Sequence, residues 1–265
     1  FSSASAHALG HKVAAITRLA KKDENRLSQF TVPAEDVYPI FCENSTTIRN
    51  KYFTADKERR ECRCLSLGDS FKTEDVPDDV CGKIYHLAGL IYGDFPDEMI
   101  KHFSKKGAVA VDVQGFLRHA DKETGEMFFE DWKTKKEMLP YITYLKTDAA
   151  EAEIMTGLKD RREAAKLLYS WGAKEVLITH NTEVIAYDGK EIYSCPIRAR
   201  NLSGRTGRGD TTFAAYINER LTSNIKTALL YATATVSLKM ETPGPFKGTR
   251  ADIDAYINEF FSDVK

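Results

Sequence analysis

Apolar segments and segments with helical spacing alternate over most of the chain. Residues 107–114 form a near-continuous apolar run, which is typical of a strand covered on both faces. This alternation predicts βαβ units and a mainly parallel sheet with helices on both sides. We expect strands at residues 11–17, 83–91, 107–114, 141–146 and 175–179, and helices at residues 4–9, 149–156, 162–171, 211–221, 225–240, 251–261 and from Pro96 onward.

Two parts of the chain break this alternation. Residues 38–67 alternate β-forming and charged side chains without helical periodicity, which indicates antiparallel strands that stand off the main sheet as a lid. Residues 184–197 resemble a hairpin in which Asp188-Gly189 forms the turn. The pattern therefore predicts an α/β core of residues 1–37 and 68–265 with a β lid of residues 38–67.

Composition and charge narrow the classes of partner. The 265 residues carry 38 Lys+Arg and 39 Asp+Glu, a formal net charge of −1. A near-neutral chain lacks the basic excess expected of a protein that binds nucleic acid or anionic lipid. No apolar stretch reaches the ~20 residues of a membrane helix, and the five cysteines form no C-x-x-C pair. We expect a cytoplasmic protein with reduced thiols and neither a nucleic-acid nor a membrane partner.

One short stretch carries most of the chemistry. Residues 204–213 read GRTGRGDTTF, in which Gly207 and Gly209 flank Arg208 and Asp210 precedes a predicted helix. Glycines let backbone N–H groups converge, and a helix N-terminus favours an anion. An acid is not needed to bind phosphate. Asp210 is therefore either a general base that deprotonates an attacking hydroxyl or an N-cap of the helix.

This stretch resembles the D-T-x-G-A-G-D signature of the ribokinase (PfkB) carbohydrate kinases. Residues 146–157 are similar to the N-x-x-E segment of that family, and residues 176–179 to the strand that ends at the nucleotide phosphates. The resemblance extends over essentially the whole chain and, through residues 112–118 (DVQGFLR) and 240–246 (METPGPF), is greatest for the inositol-kinase-like branch. It implies an α/β fold, a ribokinase-like three-layer α/β/α sandwich with a small β-strand lid.

The resemblance also implies a function and a set of site residues. The protein would transfer the γ-phosphoryl group of ATP to a hydroxyl of a sugar or cyclic polyol, with Asp210 as the base. The anion hole would be formed by Gly207, Arg208 and Gly209, and Mg²⁺ would be placed by Glu151 and Asp148. The family also allows a K⁺ ion, and the exposed β edge of the lid allows a homodimer through it. Residues expected to bind ATP are Asp148, Glu151, Thr179, Asn181, Arg205 and Thr206. Position along the chain, rather than the resemblance, indicates the substrate residues: Asp112, Gln114 and Arg118 follow a predicted strand at its carboxyl end, where α/β sheets bind ligands, and Arg49 lies in the lid. The alternatives are loop hydrogen bonding for the first three and an exposed strand face for Arg49.

The chain also departs from the family pattern. Gly204 replaces the first Asp of the signature, Arg208 the usual Ala, and Asp148 the usual Asn. The nucleotide-strand motif T-x-G-x-x-G becomes Thr-His-Asn-Thr-Glu-Val at residues 179–184, where Asn181 is expected to keep a left-handed turn. The family's N-terminal strand and Gly-Gly signature are absent from this chain. These departures keep two alternatives open: a non-catalytic protein that binds a nucleotide or polyol, and a nucleoside kinase.

Overall fold

The structure, a computed structural model, describes residues 1–53 and 60–264. Its strands are β1 (Ala15–Ala20), β2 (Val37–Cys42), β3 (Thr47–Tyr52), β4 (Arg60–Ser66), β5 (Ile84–Leu87), β6 (Ala108–Asp112), β7 (Arg118–Ala120), β8 (Met127–Phe129), β9 (Tyr144–Asp148), β10 (Glu175–Thr179), β11 (Glu183–Tyr187) and β12 (Ile192–Pro196). Its α-helices are α1 (Ser2–Ala8), α2 (Asp97–Phe103), α3 (Gln114–Leu117), α4 (Lys135–Met138), α5 (Ala149–Thr156), α6 (Arg161–Ser170), α7 (Arg208–Glu219), α8 (Ile225–Met240) and α9 (Arg250–Phe260).

A six-stranded sheet forms the centre of the molecule, in the order β12-β11-β10-β9-β6-β5. Strands β5, β6, β9 and β10 are parallel, whereas β11 and β12 form the antiparallel hairpin predicted around Asp188-Gly189. Side chains alternate across a strand, and β10 shows this directly. Val176 and Ile178 face one apolar cluster, and Leu177 faces the other.

Helices cover both faces of this sheet. Side chains of α2, α5 and α6 belong to the cluster on one face, and side chains of α7, α8 and α9 to the cluster on the other. Strands buried on both sides can be almost wholly apolar because neither face meets water. The three-layer α/β/α sandwich is therefore confirmed. No helix in the described parts of the chain is long and apolar enough to cross a bilayer.

Strands of the predicted lid belong to two separate two-stranded sheets. Strands β3 and β4 pair antiparallel, as expected. The expectation of antiparallel pairing is wrong for β2, which pairs in parallel with β1. Strand β1 begins at Ala15 rather than at residue 11 and lies outside the six-stranded sheet. The boundary at residue 38 stays a prediction, and residues 54–59 of the lid lie outside the described part.

Candidate functional site

The turn at Gly207 sets the start of α7. Gly207 is the N-cap and has φ of 81°, the left-handed region that favours glycine. The helix begins at Arg208, three residues before the predicted start, so Asp210 is its third residue. The N-cap interpretation of Asp210 is therefore wrong. Amides in a first helical turn have no acceptor within the helix, which leaves the N–H groups of Gly209 and Asp210 suited to an anion.

A buried cluster of charges lies directly beside this turn. Lys146 projects from β9, and its Nζ atom is 3.0 Å from each carboxylate oxygen of Asp112 at the end of β6. The same Nζ is 3.6 Å from Glu151 in the first turn of α5. A β-carbon on Gly209 would lie 3.2 Å from Lys146 Nζ. The parallel strands thus bring a lysine and two acids to the start of α7.

The cluster contains more acid than base. Burial lowers the pKa of the Lys146 ammonium, but Asp112 and Glu151 together raise the pKa by more, so the lysine is held charged. Burial raises the pKa of Glu151 to about 7, and Lys146 only partly offsets this effect. Asp148 adds a third carboxylate near the same ammonium. The cluster therefore favours one further positive charge or a proton on Glu151.

Asp148 and Glu151 are fixed by the start of α5. The amide of Glu151 donates to Asp148 Oδ1 at 2.8 Å, and the amide of Asp148 donates to Glu151 Oε2 at 2.7 Å. This capping box satisfies two helix-end donors. Mg²⁺ is commonly held by one or two carboxylates plus substrate phosphates. The acid excess beside an anion-binding turn fits such an ion, with Asp148 and Glu151 as its carboxylates. Among residues 1–53 and 60–264, no three acidic, histidine or cysteine side chains are placed to hold a metal by themselves.

The other residues predicted for the site are spread more widely. Thr179 is buried at the end of β10 and pairs in register with Asp148, whereas Asn181 is exposed in the following turn. Gln114 lies two residues after Asp112, and its backbone N–H donates to Asp112 Oδ1 at 3.2 Å. The guanidinium of Arg118 is buried and donates to the carbonyl of Leu90, at 2.7 Å from Nε.

The remaining predicted residues lie on β3 and in the turn before α7. Arg49 is exposed on β3, and no described contact joins it to the buried cluster. Arg205 and Arg208 are half-buried, Thr206 is exposed, and the amide of Arg208 donates to the carbonyl of Arg205 at 3.3 Å. The structure therefore brings Asp112, Asp148, Glu151 and Gly207–Asp210 to one edge of the sheet. The substrate roles of Arg49 and Arg118 stay predictions.

Sequence reasoning missed Lys146 as a functional candidate. The signal was present, because a lysine in a strand of a sheet predicted to be covered on both faces must be paired when it is buried. Lys239 on α8 was also missed, and the same signal applies to it. Its side chain is 1% exposed, and its ammonium donates to the carbonyls of Gly204 and Thr206.

Gly204 explains one departure from the family signature. A β-carbon at this position would lie 1.8 Å from the carbonyl oxygen of Thr242. The variant Gly204→Asp, which restores the signature letter, is therefore expected to displace the turn and lower both the melting temperature and anion binding. Differential scanning fluorimetry with and without pyrophosphate measures both. The control is Gly10→Asp, where a β-carbon has nothing within 4 Å but φ is 89°. This variant should lower the melting temperature only by the cost of that backbone conformation and leave anion binding unchanged. Wild-type behaviour of Gly204→Asp would contradict the steric argument.

His86 provides a pH-sensitive group near the cluster. Its ring meets Phe213 edge-on at 4.9 Å, and its buried Nε2 atom has no hydrogen-bond partner among the described residues. Burial lowers the pKa of His86 to about 4, although Asp112 partly opposes this. The unfolded chain therefore binds a proton at a pH where the folded one does not.

This shift predicts a loss of stability in acid. The His86 contribution is complete above the unfolded pKa of about 6.5 and is lost as pH falls toward about 4, amounting to about 2–3 kcal/mol. Urea unfolding of wild type and His86→Phe across this range should show a shallower pH dependence in the variant. The exposed His7→Phe serves as the control. Equal slopes for wild type and His86→Phe would contradict the prediction.

Comparison with known proteins places these features in a family context. The pfkB family of carbohydrate kinases matches residues 2–250. A pyrophosphate-dependent kinase in the ribokinase family, solved with a pyrophosphate analog and myo-inositol, is 32% identical. The match covers 96% of this chain and 89% of that one, with a TM-score of 0.85.

Two further relatives are more distant. A cytidine kinase of Thermococcus kodakarensis is 26% identical over 161 residues, which cover 58% of this chain and 54% of that protein. The chain thus spans about half the length of this curated relative. The Arabidopsis thaliana ribokinase complexed with ribose and ATP is 16% identical. That match covers 97% of this chain and 85% of that one, and its TM-score of 0.74 shows a shared fold.

Proposed function

Because this chain belongs to the pfkB family of carbohydrate kinases, we propose that it transfers a phosphoryl group to a hydroxyl of a cyclic polyol such as an inositol. One observation carries the proposal: the first turn of α7, which holds Asp210, lies against the buried Lys146–Asp112–Glu151 cluster. An anion-binding helix start, a fixed cation and an acid are the parts that phosphoryl transfer needs.

Each residue has a role in this scheme. The Asp210 carboxylate accepts the proton of the acceptor hydroxyl as its oxygen forms a bond to phosphorus. The bond between that phosphorus and the bridging oxygen of the donor breaks, and the leaving phosphate or diphosphate takes the electron pair. The amides of Gly209 and Asp210 and the ammonium of Lys146 stabilise the charge on the transferring group. Mg²⁺, held by Asp148 and Glu151, would neutralise the donor phosphates.

ATP is the donor that the sequence predicts, but a specific observation favours inorganic pyrophosphate as a second candidate. The structural relatives at 32–33% identity are described as pyrophosphate-dependent, one of them as a myo-inositol-1 kinase. In this chain the turn after β10 lacks both glycines of the nucleotide motif. The His180 ring bonds the hydroxyl of Thr182 at 2.9 Å, and Val184 is fully buried. A diphosphate needs only the phosphate-binding part of such a site, which here lies beside Gly209 and Lys146.

The test crosses donors with acceptors. The purified protein with Mg²⁺ is assayed with ATP or pyrophosphate against inositols, hexoses, pentoses and nucleosides, with Asp210→Asn as the control. Turnover on one polyol that Asp210→Asn abolishes supports the proposal, and the active donor decides between ATP and pyrophosphate. Turnover on cytidine alone supports a nucleoside kinase. Thermal stabilisation by a donor without turnover would instead support a binding protein.

A further inference from the structure

Lys239 occupies an unusual position beneath the anion-binding turn. It lies near the end of α8, with its side chain buried, and its ammonium donates to the backbone carbonyls of Gly204 and Thr206. A buried ammonium is stable only where its N–H groups are satisfied. These acceptors belong to the segment that leads directly into Gly207 and α7, so the lysine joins two elements separated by more than thirty residues.

The contact between Lys239 and the Thr206 carbonyl also orients the next backbone N–H, that of Gly207. A trans peptide is planar, and its C=O and N–H groups point in opposite directions; the peptide between Thr206 and Gly207 is trans. A carbonyl of Thr206 drawn toward Lys239 therefore directs the N–H of Gly207 away from α8. Lys239 thus fixes the orientation of an amide at the N-cap of α7, which is the start of the candidate anion hole.

The same end of α8 holds Gly204 from its other side. The amide of Gly204 donates to the carbonyl of Met240 at 2.7 Å, and the carbonyl of Gly204 accepts from Lys239. The Lys239 ammonium also lies 5.0 Å from the centroid of the Phe1 ring. That ring in turn contacts Gly207, where a β-carbon would lie 2.1 Å away. The turn is therefore held from outside by α8 and by Phe1, the N-cap of α1, in addition to its own bond from the Arg208 amide to the Arg205 carbonyl.

We infer that Lys239 is a positioning residue whose ammonium acts as a built-in monovalent cation, so that the anion hole is ordered without added K⁺. This inference rests on the proposed function for its kinetic readout. Carbonyl oxygens that converge on one point are the ligands used for K⁺ and Na⁺ in proteins. Here a covalently attached –NH₃⁺ takes that place. Because the ammonium is part of the chain, the site does not lose the translational entropy that binding a free ion costs.

The test compares Lys239→Met with Lys226→Met. Lys226 is exposed on the same helix, so its variant should behave as the wild type. Lys239→Met should lower kcat by about 10²-fold, the usual effect of losing one anion-hole donor, with the KM of the polyol unchanged. Ammonium or potassium ions should restore part of the lost kcat because they fit between the two freed carbonyls. Tetramethylammonium, which cannot donate or fit, should restore nothing.

A second test measures how the turnover of the wild type depends on the monovalent cation in the buffer. At constant ionic strength, the rate should be the same in sodium, potassium and ammonium salts. Stimulation of the wild type by potassium would overturn the inference, as would wild-type kcat in Lys239→Met or equal recovery with tetramethylammonium. If Lys239→Met fails to fold, as judged by circular dichroism, the salt series and Lys239→Gln decide. The amide of Lys239→Gln keeps N–H donors without a charge and should leave a K⁺-stimulated enzyme.

A binding measurement separates this inference from the proposed function. Calorimetry with inorganic pyrophosphate needs no turnover. If the wild type binds pyrophosphate but phosphorylates no acceptor, the proposed function fails, while weaker binding by Lys239→Met that ammonium restores still supports the positioning role. Equal pyrophosphate affinity of wild type and Lys239→Met would overturn that role. The same titration is run with ATP, and absence of binding of both pyrophosphate and ATP by the wild type would overturn both.

Discussion

Asparagine at position 210 is expected to lower kcat by about 10²–10⁴-fold, the usual worth of a positioned acid–base group. The amide of Asp210→Asn has nearly the shape of the carboxylate but cannot accept the proton of the acceptor hydroxyl. Because Asp210 is the third residue of α7 and not its N-cap, the exchange should change the melting temperature little. Steady-state kinetics on the active donor and acceptor pair measures the effect.

The control for this variant is Asp160→Asn. Asp160 is the N-cap of α6, and asparagine caps about as well as aspartate, so both turnover and stability should be retained. The KM of the acceptor should also stay near its wild-type value in Asp210→Asn, since the carboxylate acts on the attacking proton. Wild-type kcat in Asp210→Asn would refute the assignment of the base.

Removal of the Lys146 ammonium should have the largest effect on stability. Lys146→Met leaves Asp112 and Glu151 buried without their counter-charge, and breaking a buried ion pair from one side costs about 3–5 kcal/mol of unfolding free energy. Donor affinity should fall as well, because the ammonium lies beside Gly209. Urea unfolding and calorimetry with pyrophosphate measure the two effects.

A second substitution tests the cause. Lys146→Met combined with Asp112→Asn removes one uncompensated charge and should regain part of the lost stability, without regaining donor affinity. The exposed Lys174→Met serves as the surface control and should unfold like the wild type. If Lys146→Met unfolded at the wild-type urea concentration, the cluster would not contribute as its geometry indicates.

Patterns of local spacing predicted the core of the fold well. The bounds of α5, α8 and β10 are those that the sequence predicted. Helix α5 lies between the cap Asp148 and Gly157, α8 follows the cap Asn224, and β10 is centred on a continuous apolar run. The start of α7 was misplaced because Gly207 bends the chain before Arg208, and a glycine-rich stretch looks like a loop. The pairing of β2 with β1 depends on contacts between distant segments, which periodicity does not encode.

The candidate site was only partly visible for a similar reason. Asp148, Glu151 and Asp210 were found mainly through the family resemblance and Asp112 through its place at the end of a predicted strand, and the structure places all four along one edge of the sheet. Lys146 and Lys239 act through partners far away in sequence, at Asp112 and at Gly204. A lysine predicted to be buried indicates that it has a polar partner, but the sequence does not identify that partner. Their contribution therefore emerged only from tertiary packing.

The separation of the lid strands from the central sheet has a consequence for local stability. Strands β1 with β2 and β3 with β4 form two-stranded ribbons outside the six-stranded sheet, and such ribbons are marginally stable on their own. Their amide protons should consequently exchange with solvent through opening events smaller than global unfolding. Each ribbon then opens separately from the buried core. Its opening free energy is set by docking contacts, which include the Arg18–Asp75 ion pair for β1 and β2 and the bond from the Cys64 amide to the Gly125 carbonyl for β3 and β4.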